Sequence, residues 1–133
     1  MSIKLEKGLV STLSGVGVAR PRSQQPITYP AIHYQRIYTT RTTSIDGENV
    51  GVTEVGMQVD CLSDSYIGAK ELADSVRGVL HGYSGIWGEL TSPETHLTAQ
   101  FVSLQTENDF SDQDGDRITH WVSQRYQIWT DMD

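Results

Sequence analysis

The clearest pattern of hydrophobic and polar positions lies in residues 55–82. In residues 55–61 every second side chain is apolar, which is the pattern of a half-buried strand. In residues 66–80 the apolar side chains recur with the period of a helix, and polar side chains fill the rest of its circumference. Any of residues 63–65 can cap this helix, and Gly82 is suited to end it in a left-handed conformation. We therefore predict a strand followed directly by an amphipathic helix.

Weaker patterns predict one more helix and three more strands. Leucines at every fourth position predict a short helix over residues 2–13. The β-branched and aromatic residues 31–43 predict a strand, and Asp46-Gly47 is a strong hairpin signal between it and the strand that ends at Cys61. Residues 97–105 and 117–130 predict a second hairpin. The predicted fold is α+β: a four-stranded, largely antiparallel sheet of two hairpins, with an N-terminal helix and a central helix packed on it.

Three stretches are predicted to be loops or, for the first of them, loop or extended chain. This first stretch, residues 20–30, contains three prolines and the densest positive charge in the chain, Arg20 and Arg22. Residues 83–94 are rich in turn formers and contain Trp87. A third, acidic loop covers residues 107–116 and carries Glu107, Asp109, Asp112, Asp114 and Asp116.

Composition favours one domain over residues 1–133. A chain of 133 residues with 37% hydrophobic residues is long enough to bury a core. The formal net charge of −7 argues against binding that depends on neutralising phosphates. We expect no signal peptide and no membrane contact, because no apolar run approaches the length of a membrane span. The single cysteine excludes an internal disulfide and fits synthesis in a reducing cytoplasm.

Side chains that could perform catalysis or hold a metal do not form a recognisable set. Cys61 falls on the buried side of its strand, which favours a structural thiol over a nucleophile. The aspartates of residues 112–116 are spaced like the first ligands of an EF-hand. However, Arg117 occupies the position that needs glycine, and Ser123 stands where the bidentate glutamate belongs. The four histidines have no second ligand at zinc spacing. We therefore predict a protein that is not an enzyme, with no catalytic residue, metal or cofactor.

The last predicted strand carries two tryptophans on one face. If the apolar face of residues 118–128 is buried, then Trp121, Arg125 and Trp129 lie on the opposite face. Aromatic residues and Arg are enriched at the energetic centres of protein interfaces. Two interpretations stand at this point: contact with another protein chain, or cover by the N-terminal helix or the long loop.

The run VDCLSDSYIGAKELADSVRGVLHGYSG, with the upstream YPAIHYQRI, resembles the tail completion, or tail-terminator, family of long-tailed bacteriophages. In that family a hydrophobic strand ends near Val-Asp-Cys, and a helix with a characteristic set of residues follows. The matching residues of this chain are Tyr66, Ala69, Lys70, Ala73, Val76, Arg77 and Leu80. The resemblance does not extend to residues 83–96 or 107–116.

The resemblance implies a structural virion protein that is made in the bacterial host cytoplasm. It would cap the end of the tail tube near the head, terminate tail growth and form part of the head–tail joint. Members of the family assemble as hexameric rings, so the implied partners are further copies of the chain, the tail tube protein and the head–tail connector protein. DNA would pass through the ring without specific binding.

Two groups of residues are candidates for these roles. We expect subunit or tube contacts at seven residues: Arg20, Arg22, Ile67, Trp87, Trp121, Arg125 and Trp129. We expect the acidic loop of residues 107–116 to line the lumen, where like charge repels DNA. The alternatives are a head–tail connector or neck protein on the head side, and a small non-viral α/β binding domain, which would need a convergent polar pocket. A nucleic-acid-binding module would need a basic face.

Overall fold

The computed structural model describes residues 4–17, 19–21, 30–43, 49–87 and 97–130. In chain order these residues form α1 (Lys4–Thr12), β1 (Ala19–Pro21), β2 (Ala31–Thr43), β3 (Asn49–Ser63), α2 (Tyr66–Leu80), β4 (Gly85–Trp87), β5 (Leu97–Asp114) and β6 (Arg117–Thr130). The two predicted helices and the four predicted strands are all present. The strand β4 lies within residues 83–94, which were predicted to be a loop, so that prediction is wrong for Gly85–Trp87.

The described strands form one sheet in the order β1-β2-β3-β6-β5-β4. The pair β1–β2 is parallel, and the other four neighbouring pairs are antiparallel. The predicted four-stranded, largely antiparallel sheet is therefore wrong, because the sheet is mixed and gains a strand at each edge. The four predicted strands are its long central members. The added strands have three residues each, too few for a periodic pattern to show.

The helix α2 begins and ends as predicted. The Ser65 hydroxyl accepts a hydrogen bond from the Gly68 N–H at 3.0 Å, which caps the N-terminus. Gly82 follows the helix with φ of +79°, the left-handed conformation that glycine adopts without strain. The buried side chains of α2 are Ala69, Ala73, Val76 and Leu80, all on the predicted apolar arc. This agreement confirms the helix prediction at both ends.

Both helices contribute to one hydrophobic core, which lies on one side of the sheet. It combines Leu9 and Leu13 with the apolar face of α2, with Val55, Met57, Val59 and Cys61 of β3, and with Val122, Tyr126 and Ile128 of β6. We call this side of the sheet the helix face. The other side, which carries the intervening residues such as Gln58 in β3 and Arg125 in β6, is called the open face. The alternation predicted for β3 and β6 is therefore confirmed.

A β-bulge in β2 changes the face on which its side chains lie. The pairing with β3 shifts between Arg36 and Tyr38, so the two side chains point to opposite faces although their spacing is even. Arg36 reaches the helix face, where its Nε lies 2.6 Å from the Glu6 carboxylate of α1. Tyr38 lies on the open face opposite Gly56, and its hydroxyl donates a hydrogen bond to Glu54 at 3.3 Å. A strict period of two could not predict this change of face.

The acidic stretch of residues 107–116 is mostly strand, so its prediction as a loop is wrong. β5 pairs with β6 without a break from Thr106 to Asp114, and only Gly115 and Asp116 form the connection. Gly115 has φ of +64°, as the first position of a two-residue type II′ hairpin turn requires. Acidic composition suggested a solvated loop, but cross-strand pairing with β6 overrides that preference.

Candidate interaction surfaces

The open face carries the two tryptophans of β6. Trp121, Arg125 and Trp129 alternate with Val122, Tyr126 and Ile128, which are buried against the helices. α1 packs into the core on the helix face, so it does not cover the tryptophans. Of the two interpretations left open by the sequence, cover by α1 is therefore wrong. Cover by the long loop concerns residues 22–29, which lie outside the described residues.

Each tryptophan has an aromatic neighbour on β5. Trp121 stacks on Phe110, with ring centroids 5.4 Å apart and an interplanar angle of 19°. Trp129 lies opposite Phe101 in the β5–β6 register. Both tryptophans are half-buried, whereas Phe101 is 46% exposed and Phe110 is 48% exposed. Two aromatic pairs thus lie on one face of the sheet with the exposed Arg125 between them, a composition that favours protein contacts.

The other predicted contact residues do not join this surface as one patch. Arg125 is exposed between the two tryptophans, and Arg20 is exposed on β1 at the edge of the sheet. Ile67 is 68% exposed on α2, on the other side of the molecule. Trp87 belongs to the edge strand β4. Arg22 lies outside the described residues.

The predicted acidic group is divided between the two faces of the sheet. Glu107 and Asp109 pair with Gln124 and Val122, which places them on the helix face. Asp112 pairs with Thr119 on the open face, and Asp116 is exposed in the hairpin turn. Asp114 is the last residue of β5, and it pairs with Arg117. These acids therefore do not form a single surface, although three of the five lie within five residues at the end of the hairpin.

An ionic cluster joins the start of α2 to β5. The Lys70 ammonium donates to both Asp109 carboxylate oxygens, at 2.9 and 3.0 Å, and the Tyr66 hydroxyl donates to the same carboxylate at 3.1 Å. These hydrogen bonds lower the pKa of Asp109 and raise that of Lys70. The Tyr66 ring also meets the His120 ring edge to face, with centroids 6.0 Å apart. Sequence reasoning missed this cluster, because Tyr66 and Lys70 on α2 are 39 to 54 residues away from Asp109 on β5 and His120 on β6.

A second polar network is buried beneath α2. The Gln124 side chain is fully buried, and its amide nitrogen donates to the Ala73 carbonyl at 3.0 Å and to the Glu107 carboxylate at 2.8 Å. Its amide oxygen accepts from the Tyr126 hydroxyl at 2.8 Å. Burial raises the pKa of Tyr126, and the nearby Cys61 and Glu107 add to the effect. The network fastens α2 to β5 and β6.

The described residues show no arrangement suited to catalysis. Cys61 is buried as predicted, and burial, with help from Asp60 and Glu107, raises the pKa of its thiol to about 12. Such a thiol stays protonated at neutral pH and is a poor nucleophile. Among the described residues, no three His, Cys, Asp or Glu side chains are placed to hold a metal ion. No helix within the described ranges is long and apolar enough to cross a membrane.

Comparison with known proteins identifies the family. A family model described as "Tail completion protein gp17" matches residues 9–131. No curated protein matches the chain. The resemblance carried by residues 29–37 and 59–85 is thus confirmed, and the match extends across both hairpins of the sheet. Because the matched region is nearly the whole chain, this chain belongs to the family of phage tail completion proteins and has a structural role in the phage tail.

Proposed function

We propose that this protein caps the end of the phage tail tube that faces the head, terminates tail growth and forms part of the head–tail joint. The family match over residues 9–131 carries the proposal, because a tail completion protein is a virion component. In this proposal the working form is a homo-hexameric ring. Its partners are the tail tube protein on one side and the head–tail connector protein on the other.

The open face supports a role in protein contacts. It presents two aromatic pairs and the exposed Arg125 on a sheet surface that neither α1 nor α2 covers. Aromatic side chains of this kind supply much of the binding energy of protein interfaces. A protein that acts by assembly needs such a surface and needs no reactive side chain.

The proposal is tested by adding the purified chain to phage tails assembled without it. We expect a ring at the head-proximal end of each tail, visible by electron microscopy, and tails of uniform length that join to heads. Light scattering over a range of concentrations gives the mass of the free protein. Binding to tail-less heads, with none to tail ends, would refute the proposal in favour of a connector on the head side.

The tryptophans are proposed as subunit or tube contacts. The double variant Trp121→Ser with Trp129→Ser should remain folded, by circular dichroism, but lose the ring or its attachment to tails. Ile118→Ser is the matched control, since Ile118 lies on the helix face of the same strand and is 44% exposed. A ring that survives the double variant would show that the subunit contacts lie elsewhere.

The end of the β5–β6 hairpin is proposed to face the DNA channel. Asp116 lies in the turn and Asp112 lies two residues before the end of β5, where their charges would repel DNA and keep it from binding the wall. Replacing both with Asn should slow DNA ejection from otherwise normal virions. The control is Glu71→Gln, an exposed acid on α2. Ejection at the normal rate from the Asp variant would refute the channel assignment.

A further inference from the structure

Each edge of the sheet ends in a short strand that covers only part of its long neighbour. The covered parts of the two edges lie at different heights along the strands. On one edge β1 covers only Ile32–Tyr34 of β2, so no described strand covers residues 35–43. On the other edge β4 covers Leu97–Ala99 of β5, and backbone hydrogen bonds link Gly82 and Tyr83 to Val102. Beyond this point no described strand pairs with the outer side of residues 105–114. Each edge therefore has one protruding part and one recessed part.

The pairing register gives the height of each step along the strands. Gly85 of β4 pairs with Ala99 of β5. The row of paired residues that crosses the sheet from there passes through Thr130 and Thr53 and reaches Arg41 of β2. The protrusion made by β4 is therefore level with the recess on the β2 edge. A second row joins the protrusion made by β1 to the recess on the β5 edge; its members are Arg20, His33, Asp60, Ser123 and Asn108.

Two copies placed side by side, with their strands aligned, would thus fit step into step. We infer that neighbouring subunits join edge to edge, with β1 of one copy beside residues 105–114 of the next and β4 of that copy beside residues 35–43 of the first. The partner is a second copy of this chain. The inference rests on the ring proposed above and names the contact that would hold it together. A head-to-tail contact of this kind closes into a ring when the rotation between copies closes.

Charge supports the same pairing. Arg20 is exposed on the protruding β1, and its row ends at Asn108 on the open face of the opposite edge, where the exposed acid on the same face is Asp112. In neighbouring copies the Arg20 edge would therefore lie beside an edge that carries an acid, whereas two copies of the same edge would repel each other. Pro21 has no N–H, so the backbone contact at β1 is short. The ten-residue recess on β5 is longer than β1, which leaves room for the strands to slide to the tilt that a closed sheet needs.

Engineered disulfides test the contact in full-length protein. Within one subunit β1 and β5 are separated by three strands, or about 19 Å, which exceeds the limit of about 7 Å between the Cα atoms of a disulfide. A bond between Arg20→Cys and Asn108→Cys can therefore form only between subunits. Thr106→Cys and Phe110→Cys, which share a face with Asn108, report a register that has slid by two residues. The buried Cys61 is present in every variant, including the parent control.

The double variants are oxidised after assembly on tail ends or as free rings and are then resolved on denaturing gels. We expect Arg20→Cys with one of the three β5 cysteines to give a covalent ladder that ends at the closed ring. Arg20→Cys with Phe101→Cys is the control. Phe101 lies on the same face, but it is seven residues along the strand from Asn108, or about 23 Å away. The yield of the disulfide to Phe101→Cys should therefore be below about a tenth of the yield to the best of the three β5 cysteines.

The outcomes separate this inference from the proposed function. Rings that form without a covalent ladder, or that cross-link equally through Phe101→Cys, would overturn the edge-to-edge contact and leave the ring intact. A parent protein that forms no ring and binds no tail end would refute the proposed function and the edge-to-edge contact together.

Discussion

The buried amide of Gln124 offers the sharpest test of how the fold is held. Gln124→Met keeps the length of the side chain and removes three hydrogen bonds, to Ala73, Glu107 and Tyr126. The Tyr126 hydroxyl is then buried without its acceptor, which costs about 1–3 kcal/mol, and the half-buried Glu107 loses a donor at about 1–2 kcal/mol. The Ala73 carbonyl keeps its bond within α2. We expect the free energy of unfolding to fall by about 3 kcal/mol.

Urea denaturation followed by tryptophan fluorescence measures this loss. With a slope of about 2 kcal/mol per molar urea, the midpoint should fall by about 1.5 M. Tyr126→Phe is the partner variant, because it removes the hydroxyl and leaves the amide. The double variant should be more stable than the sum of the single effects predicts, by about 1–2 kcal/mol, since neither group then lacks a partner. A Gln124→Met protein within about 0.5 kcal/mol of the parent would refute the reasoning.

Three further predictions concern other parts of the fold. Gly56→Ala places a Cβ against the Tyr38 ring, so the free energy of unfolding should fall by about 1–2 kcal/mol, and adding Tyr38→Ala should relieve part of the loss. Arg36→Met leaves the Glu6 carboxylate largely buried and without its partner, so the free energy of unfolding should fall by about 3 kcal/mol. Adding Glu6→Met removes the unpaired charge and should largely restore the stability. Cys61 should react with thiol reagents only through unfolding. The pKa of the Cys61 thiol is raised from 9.0 to about 12 in the folded chain. The thiol of the unfolded chain therefore ionises first, so its contribution to the free energy of unfolding is fully present below pH 9 and is lost between about pH 9 and 12. In alkaline denaturation Cys61→Ala should lack this part of the loss.

The central strand and helix were predictable because each has a single uninterrupted period. β3 alternates through its buried half, and α2 has a cap, an apolar arc and a glycine beyond its end. These local signals agree with the final packing, so the sequence alone defines both elements. The edge strands β1 and β4 have no such signal. Three residues cannot show a period, and their strand conformation depends on the neighbours β2 and β5.

The sequence predicted which face of the sheet the side chains of the open face occupy, but not which side chains they contact. Alternation in β6 placed Trp121, Arg125 and Trp129 on one face correctly, because the pleat leaves no choice once the core residues are known. Their aromatic neighbours on β5 depend on two register shifts, near Gln100 and Gln105. One signal in the sequence was overlooked. Gln124 stands at a core position between apolar residues, and a polar side chain there must find partners within the core.

The residues that carry the family resemblance gain a physical role from the structure. Tyr66 and Lys70 both bind Asp109, a residue of the stretch in which the sequence itself showed no resemblance. On the same side of α2, Ala73 accepts the Gln124 hydrogen bond that also reaches Glu107. One exposed cluster and one buried network thus connect the helix to the same short part of β5.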